Sequence, residues 1–578
     1  MEMKVSSGRR VIEFTTGTSV RSRKHFIIIL LLFLAGAAFR LYFIHAHSAF
    51  MQSDEAVFGL MAKHIITRRQ FPIFMWGQER AGALITYLVA PVFYLFGVSN
   101  LVFKTVTMGV SLIFAYLVYL QAKRIGGERI GLITLALSVF CPPFFAMRLV
   151  HACAEYLLMM VFGVVTILLC DDILFARQLN TAKGTVLREH VSYGLLGLAM
   201  GIGFWVFPLI ISFIGAVWII LFLRDRICFF RTTFLVFFLC FVVGSVPAIL
   251  FNTFPELRAA GGMAGASNWI SYASLFVGSS EPLWSRVLQI PGTLLQVAKE
   301  SVPVLVGGSL WEYETSLWRR SIVVILVSFW LFAVLYTIGA RVRLWLGQKG
   351  RRRWALTRID VVFLQFLLTL IIFATSKYRG LVREPRYLTP IFVFLPIAGA
   401  CFLNWLYSNK KVLSYSVLVV VLALNMASSI WFSESLDPDH GLWPKDKQLI
   451  QYLIDNEIHH PIANYWIAHS ITFESNEQVI SVPIGCYRFN VYKDVLDKVL
   501  PTHYIFRKRE KDDRYFAFFS YGLFGTQWTA HEFADLLHDM GVPEGAYSAY
   551  EFDHYVLYHV PRQYLDPAVI IYERLMLR

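Results

Sequence analysis

The sequence predicts an all-α polytopic membrane protein with about 11 spanning helices, followed by an external α/β domain. Of the 578 residues, 57% are hydrophobic and 16% are charged, whereas an average soluble domain carries about a quarter charged residues. Apolar runs of roughly 20 residues recur along the first three quarters of the chain, and such runs are long enough to cross a bilayer. The polar tail after residue 431 mixes helix and strand periodicities, which predicts a separate α/β unit.

The apolar runs must also agree with the distribution of basic residues between the loops. If the run 82–97 crossed the membrane, the basic loops 122–129 and 341–358 would be external, although Lys and Arg favour the cytoplasmic side. That run is short and contains Pro91, so it is predicted to lie in the membrane interface. The predicted spans are 25–44, 101–122, 128–147, 154–174, 191–206, 207–223, 231–251, 321–340, 359–375, 387–407 and 412–431.

This topology predicts a multi-pass protein of the inner or plasma membrane, with a cytoplasmic N-terminus and an external C-terminus. Residues 1–431 form the membrane domain, and residues 432–578 form the external soluble domain. Because cytoplasmic loops hold most of the basic residues behind the net charge of +14, no nucleic-acid partner is expected. In the tail, helices are predicted at 445–458 and 529–541, and strands at 478–484, 503–509 and 554–560.

Two adjacent carboxylates, Asp54 and Glu55, stand where the chain leaves the first predicted span. An ordinary helix start explains them, because Ser53 is a good N-cap and acids in a first turn complement the helix dipole. Alternatively, a carboxylate at the external membrane boundary could act as a base toward a hydroxyl or an amine. An apolar stripe on the membrane interface is predicted from Val57, Leu60, Met61, His64 and Ile65.

A cluster of cations occupies the predicted external loop 376–386, where Lys and Arg are usually sparse. Contact with lipid headgroups is one explanation. A phosphate clamp is the other, because Arg offers planar, bidentate donors to phosphate oxygens. The candidate substrate-binding residues here are Lys377, Tyr378, Arg379, Arg383, Arg386 and Tyr387.

Two other predicted external segments supply further candidates. Glu155 begins a predicted span shortly after Arg148 and His151, and complementarity with the helix dipole is the ordinary explanation for this acid. His151, Cys153 and Glu155 are ligand types for a metal, but their alternate spacing is weak evidence for a site. A divalent metal is therefore possible but not indicated, and no cofactor is predicted. Arg80, just before the interfacial run, is a second candidate for binding phosphate.

An aromatic segment, 309–320, precedes another predicted span and contains Trp311, Glu312, Glu314 and Trp318. Anchoring in the aromatic belt of the membrane explains the tryptophans. A contribution to binding a sugar or an acceptor is the alternative.

Three stretches of the chain match a known pattern as they stand. They are "SDEAVFGLMAKHI…FPIFMWGQERAGAL", "LVYLQAKRIGGERIGLITLALSVFCPPF" and "REPRYLTPIFVFLP". Together they resemble the GT-C glycosyltransferases, and more narrowly family 39, which contains protein O-mannosyltransferases and the aminoarabinose transferases of lipid A. The resemblance implies a GT-C-type fold, a polyprenyl-phosphate monosaccharide as donor, and an inverting transfer to an acceptor on the external side. The acceptor could be a lipid, a glycan or a protein, and membrane lipids surround the protein.

The resemblance also implies roles for individual residues. The family's first-loop Asp corresponds to Asp54 and its partner to Glu55, while the second-loop acid corresponds most nearly to Glu155. A Lys before Pro-Pro-Leu is common in the first loop of the family. Here Arg80 stands nearest, and Ala-Gly replaces the two prolines. In this interpretation Asp54 is the base and the external arginines meet the phosphate.

A transporter or flippase for lipid-linked sugars is the alternative from another class of proteins. Such a protein favours ionisable residues inside spans, or broken helices in matching halves. Few charges fall within the predicted spans, Arg40 and Lys104 lie near their ends, and the sequence has no internal repeat. These observations favour the enzyme.

Overall fold

The computed structural model describes residues 17–46, 51–78, 80–151, 154–175, 185–260, 282–308, 316–346, 356–383, 385–435, 446–484, 502–508, 529–561 and 564. The α-helices in the first 260 residues are α1 (Gly17–Ala46), α2 (Ser53–Thr67), α3 (Leu84–Phe96), α4 (Asn100–Gly126), α5 (Glu128–Val139), α6 (Pro143–Val150), α7 (Glu155–Phe175), α8 (Thr185–Val206), α9 (Ile211–Arg224), α10 (Thr232–Thr253) and α11 (Pro255–Ala260). The later ones are α12 (Leu283–Leu288), α13 (Ile290–Gln296), α14 (Val302–Gly307), α15 (Leu317–Leu346), α16 (Arg358–Thr375), α17 (Phe394–Asn409), α18 (Lys411–Ser435), α19 (Lys447–Asp455), α20 (Tyr465–Glu474) and α21 (Ala530–Asp539). The strands are β1 (Ile462–Asn464), β2 (Val482–Ile484), β3 (His503–Arg507), β4 (Ser548–Glu551) and β5 (Tyr555–His559).

Eight helices in the described part of the chain are long and apolar enough to cross a membrane. A ninth crossing would be formed by α5 and α6 together, which meet at an angle of 77°. The two remaining predicted spans correspond to α8 and α9, which pack against α7, α10 and α16. The helix α3 has 13 residues, fewer than the ~20 that a perpendicular crossing needs. The helices thus fit the predicted multi-pass architecture, while the sidedness of the loops stays a prediction.

The break between α5 and α6 explains a cation that is buried among apolar helices. Pro142 and Pro143 lack the backbone N–H that would continue α5, so the last carbonyls of that helix need other donors. The guanidinium of Arg40, which is 3% exposed, donates to the carbonyls of Val139 at 3.1 Å and Ser138 at 3.4 Å. Arg40 therefore stabilises the end of a broken helix.

The tail contains a mixed five-stranded sheet in the order β2-β1-β3-β5-β4. The strand β1 is parallel to β2 and β3, whereas β5 is antiparallel to β3 and β4. Alternate residues of a strand face opposite sides. Accordingly, Ile505 and Leu557 join the large core that continues into the membrane helices, whereas Phe506 and Tyr558 pack with Phe533 of α21. The elements predicted in the tail are confirmed, and the sheet joins the membrane part through one face.

The interfacial stripe predicted on α2 has a different environment. Val57, Leu60, Met61 and His64 are each 0% exposed, because α2 packs between α3 and the tail helix α20. The expectation of a stripe lying on lipid was wrong for these residues. Apolar periodicity identifies a buried face, but it does not say whether lipid or protein covers that face.

Candidate functional site

The carboxylate of Asp54 lies half-buried at the start of α2, in contact with the tail. The phenol of Tyr465, the first residue of α20, donates a hydrogen bond to Asp54 Oδ1. The neighbouring Ser53 hydroxyl donates to the Tyr465 carbonyl and accepts from the His469 N–H at 3.3 Å. Ser53 was expected as the N-cap, but Gln52 occupies that position. Ser53 instead joins the first turn of α2 to the first turn of α20.

The second acid of the pair, Glu55, is 2% exposed and fixes the start of α2. Its Oε2 accepts from the Gln52 N–H at 3.0 Å, which is the helix-start role that the sequence offered as the ordinary explanation. Its Oε1 lies 3.6 Å from Nδ1 of His151. Burial lowers the pKa of His151 to about 4, although the charge of Glu55 opposes this shift. His151 is therefore neutral at pH 7 and acts as a polar neighbour of Glu55.

A second carboxylate and two arginines complete the cluster around Asp54. Glu155, at the start of α7, lies close enough to Asp54, Arg148 and Arg386 to interact with the charge of each. Its Oε2 is buried and has no hydrogen-bond partner among the described residues. Residues from three loops that were predicted to be external therefore meet in one place, as the predicted topology requires.

A row of aromatic rings links the cations of the first and fourth loops. Tyr378 and Tyr387 stack with their ring centroids 4.4 Å apart, and Tyr156 lies edge-on to Tyr387 at 6.5 Å. Arg80 donates to the hydroxyl of Tyr378, while the guanidinium of Arg386 lies 5.1 Å from the ring centroid of Tyr387. Both arginines thus lie beside the stacked pair, and guanidinium groups are good donors to an anionic ligand.

The remaining cations of the loop 376–386 have other positions. Arg383 donates from Nε to Glu300 Oε2 at 2.9 Å and is half-exposed. The ammonium of Lys377 lies 5.2 Å from the ring centroid of Tyr378, and Arg379 is half-buried in the intervening turn. Lys377 thus lies beside the aromatic row, whereas Arg383 pairs with a carboxylate outside it.

Other candidates contribute less to this cluster. Trp318 packs edge-on to Trp431 at 6.5 Å, which fits membrane anchoring. Cys153 lies outside the described residues, as do Trp311, Glu312 and Glu314. Among the residues that are described, no group of three His, Cys, Asp or Glu side chains could hold a metal ion.

Sequence reasoning missed the contribution of the tail to this site. Tyr465 contacts a residue 411 positions earlier in the chain, and no local pattern connects the two. The available signal was an aromatic pair, Tyr465 and Trp466, directly after a short buried strand. Tyr156 was likewise missed, because in the sequence it looks like an ordinary aromatic residue of the membrane interface next to Glu155.

The bundle of apolar helices, with a short acidic helix after the first span and a mixed sheet in the tail, defines a multi-pass membrane protein. No protein-family model and no curated protein matches the sequence. The fold is similar to that of ArnT from Cupriavidus metallidurans bound to undecaprenyl phosphate, with a TM-score of 0.58 and 10% identity over 93% of this chain and 99% of that one. It is also similar to the apo oligosaccharyltransferase of Archaeoglobus fulgidus, with a TM-score of 0.52 and 12% identity over 86% of this chain and 71% of that one. These similarities confirm the predicted fold.

Proposed function

We propose that this protein is an integral-membrane glycosyltransferase. It moves a monosaccharide from a polyprenyl-phosphate donor to an acceptor on the external side of the membrane, with inversion at the sugar. The observation that carries this proposal is that Asp54, Arg148 and Arg386 all lie near the buried carboxyl of Glu155. The bound undecaprenyl phosphate of the structurally similar ArnT supports a lipid phosphate as the ligand class.

The transfer is a single displacement. The acceptor oxygen or nitrogen attacks the anomeric carbon from the face opposite the phosphate, and the bond between that carbon and the phosphate oxygen breaks. The electron pair leaves with the polyprenyl phosphate, and the proton of the acceptor passes to the carboxylate of Asp54. Asp54 suits this role because it is half-buried at the end of a span.

The leaving phosphate gains negative charge during this step, so it needs cations that are already in place. Arg386 is placed for this by its contact with Tyr387, and Arg80 by its hydrogen bond to Tyr378. A guanidinium can bind two phosphate oxygens at once. In this proposal the buried carboxyl of Glu155 is a polar neighbour of Arg148, Arg386 and the base.

The buried polar groups of the helices support an enzyme better than a transporter. Arg40 caps the end of α5. Asp171 accepts from Gln121 at 3.0 Å, and Arg341 pairs with Asp360. These are local structural pairs near helix ends, whereas a transporter favours ionisable groups along a path through the bilayer.

The test of the base is Asp54→Asn in the purified full-length protein. Asparagine keeps the size and can still accept the hydrogen bond from Tyr465, but it cannot take up a proton at neutral pH. Release of polyprenyl phosphate should fall by roughly 10²–10⁴-fold, with the thermal unfolding temperature and donor binding unchanged. The assay uses a panel of undecaprenyl- and dolichyl-phosphate sugars as donors. Membranes from cells that lack the protein supply the acceptor.

The matched control is Asp225→Asn, which makes the same chemical change in a loop where Asp225 pairs with Arg231 at 2.6 Å. Its turnover should equal that of the unmodified protein. Normal turnover by Asp54→Asn would contradict the assignment of the base, and the pair of acids would then be only a helix start.

A further inference from the structure

The tail helix α20 lies alongside the acidic helix α2 and runs parallel to it. At one end, Tyr465 meets Asp54. Farther along, Gly59 leaves room for the ring of Phe473, since a Cβ at Gly59 would lie 2.6 Å from that ring. A larger side chain there would force the ring of Phe473 to move. The chain therefore requires close contact between the helix that carries the proposed base and a helix of the tail.

An ionic cluster fixes the other end of this helix pair. Glu477, just after α20, lies 2.7 Å from Lys63 Nζ, 2.8 Å from His64 Nε2 and 2.9 Å from a terminal guanidinium nitrogen of Arg68. Lys63 also donates to the Asn476 carbonyl at 2.9 Å. The three basic residues lie in the C-terminal third of α2 or directly after it, so α20 is held at both ends.

The ring of Tyr465 is itself held in place. Trp466 and His469 contact it edge-on, with ring centroids at 5.1 Å and 5.7 Å. The backbone carbonyl of Tyr465 accepts from Ser53. Because both the ring and the backbone of Tyr465 are held in place, its phenol can orient the carboxylate to which it donates a hydrogen bond.

We propose that Tyr465 is a positioning residue for Asp54, so that the tail forms part of the active site. This inference rests on the proposed role of Asp54 as the base. The phenol fixes the plane of the carboxylate through its hydrogen bond to Oδ1, and this sets the direction in which the acceptor proton is taken up. A base must lie within hydrogen-bond reach of the proton that it removes, so a carboxylate that rotates freely transfers that proton less often.

The first test is Tyr465→Phe, which removes only the hydroxyl and keeps the ring contacts. We expect kcat to fall by roughly ten- to a hundredfold, as for a small misplacement of a reacting group, with the KM for the lipid-linked donor and the unfolding temperature unchanged. Tyr550→Phe is the matched control, because Tyr550 is 41% exposed in the tail. Its kinetics should equal those of the unmodified protein. Unchanged kcat in Tyr465→Phe would overturn the inference.

The second test separates positioning from a general effect on the fold. If Tyr465 acts through Asp54, adding Tyr465→Phe to Asp54→Asn should cause no further loss of the residual activity. A further loss equal to that of Tyr465→Phe alone would overturn the inference and leave Tyr465 a structural residue. Normal turnover by Asp54→Asn alone would overturn the proposed base itself, whereas inactive Asp54→Asn with normal Tyr465→Phe would overturn only the positioning role.

Discussion

The ionic cluster around Glu477 gives a prediction whose size follows from the geometry. In Glu477→Gln the side chain keeps its shape but loses its charge, and the amide N–H₂ group replaces one of the two acceptor oxygens. The Glu477 side chain is 7% exposed, that of Lys63 is 11% exposed, and that of His64 is fully buried. Water therefore cannot substitute for the lost carboxylate, and we expect α20 to detach from α2 more easily.

The expected loss can be added up from the individual contacts. A buried charge-assisted hydrogen bond contributes about 1.5–3 kcal/mol. The lower half of this range applies to the bond between Lys63 and Glu477, because Lys63 keeps the Asn476 carbonyl as a second acceptor. Arg68 is 43% exposed, and an exposed pair adds only about 0.5 kcal/mol. The free energy that opens this contact should therefore fall by about 2–3 kcal/mol.

The effect should depend on pH in a defined direction. Burial alone would raise the pKa of Glu477, but the hydrogen bonds from His64 and Lys63 outweigh it and lower the pKa from 4.5 to about 2. A carboxyl whose pKa is lower in the folded state stabilises the fold above its unfolded pKa. The difference between the unmodified protein and the variant should be constant above about pH 5 and should shrink as the pH falls toward 2.

Hydrogen exchange is the suitable assay, because the membrane helices dominate global unfolding. Amides of α20 that exchange by local opening should exchange roughly 30- to 150-fold faster in Glu477→Gln at neutral pH. Glu551→Gln is the matched control, since Glu551 pairs with Lys508 at 3.0 Å but is 74% exposed. Unchanged exchange of α20 in Glu477→Gln would refute the role of the cluster as an anchor.

Two further predictions concern the loops. Arg386→Ala should lower catalytic efficiency with the lipid-linked donor by about tenfold or more, the value of one charge-assisted contact to phosphate. Arg383→Ala should change it little, because Arg383 is half-exposed and pairs with Glu300. Equal losses in steady-state kinetics would contradict this distinction. In a background without native cysteines, Asp539→Cys should react with a membrane-impermeant thiol reagent added to intact cells. Lys410→Cys should react with the same reagent only after the cells are permeabilised. Labelling of position 410 from outside would contradict the predicted sidedness.

The sequence predicts that the candidate site residues lie in loops on one side of the membrane. Such loops share a surface, and in the structure Asp54, Arg148 and Arg386 lie near the carboxyl of Glu155. The strands and helices of the tail were also predictable, because alternating and helical periodicities are local properties.

What the sequence could not show are the contacts that depend on tertiary packing. Arg383 and Arg386 are equivalent as loop cations, and only the fold separates the partner of Glu300 from the neighbour of Tyr387. The sequence shows the apolar face of α2 as a periodic stripe, but it does not show that α20 covers this face. Tyr465 could not be linked to Asp54 because the contact is formed between distant parts of the chain.

The contact between Asp54 and Tyr465 has a consequence for the biogenesis of this protein. The two residues are separated by 411 positions, and every predicted span after the first is synthesised between them. A nascent chain that has inserted all its membrane helices still lacks the phenol until its last segment has been exported and folded. The proposed base thus gains its hydrogen-bond donor only at the end of synthesis.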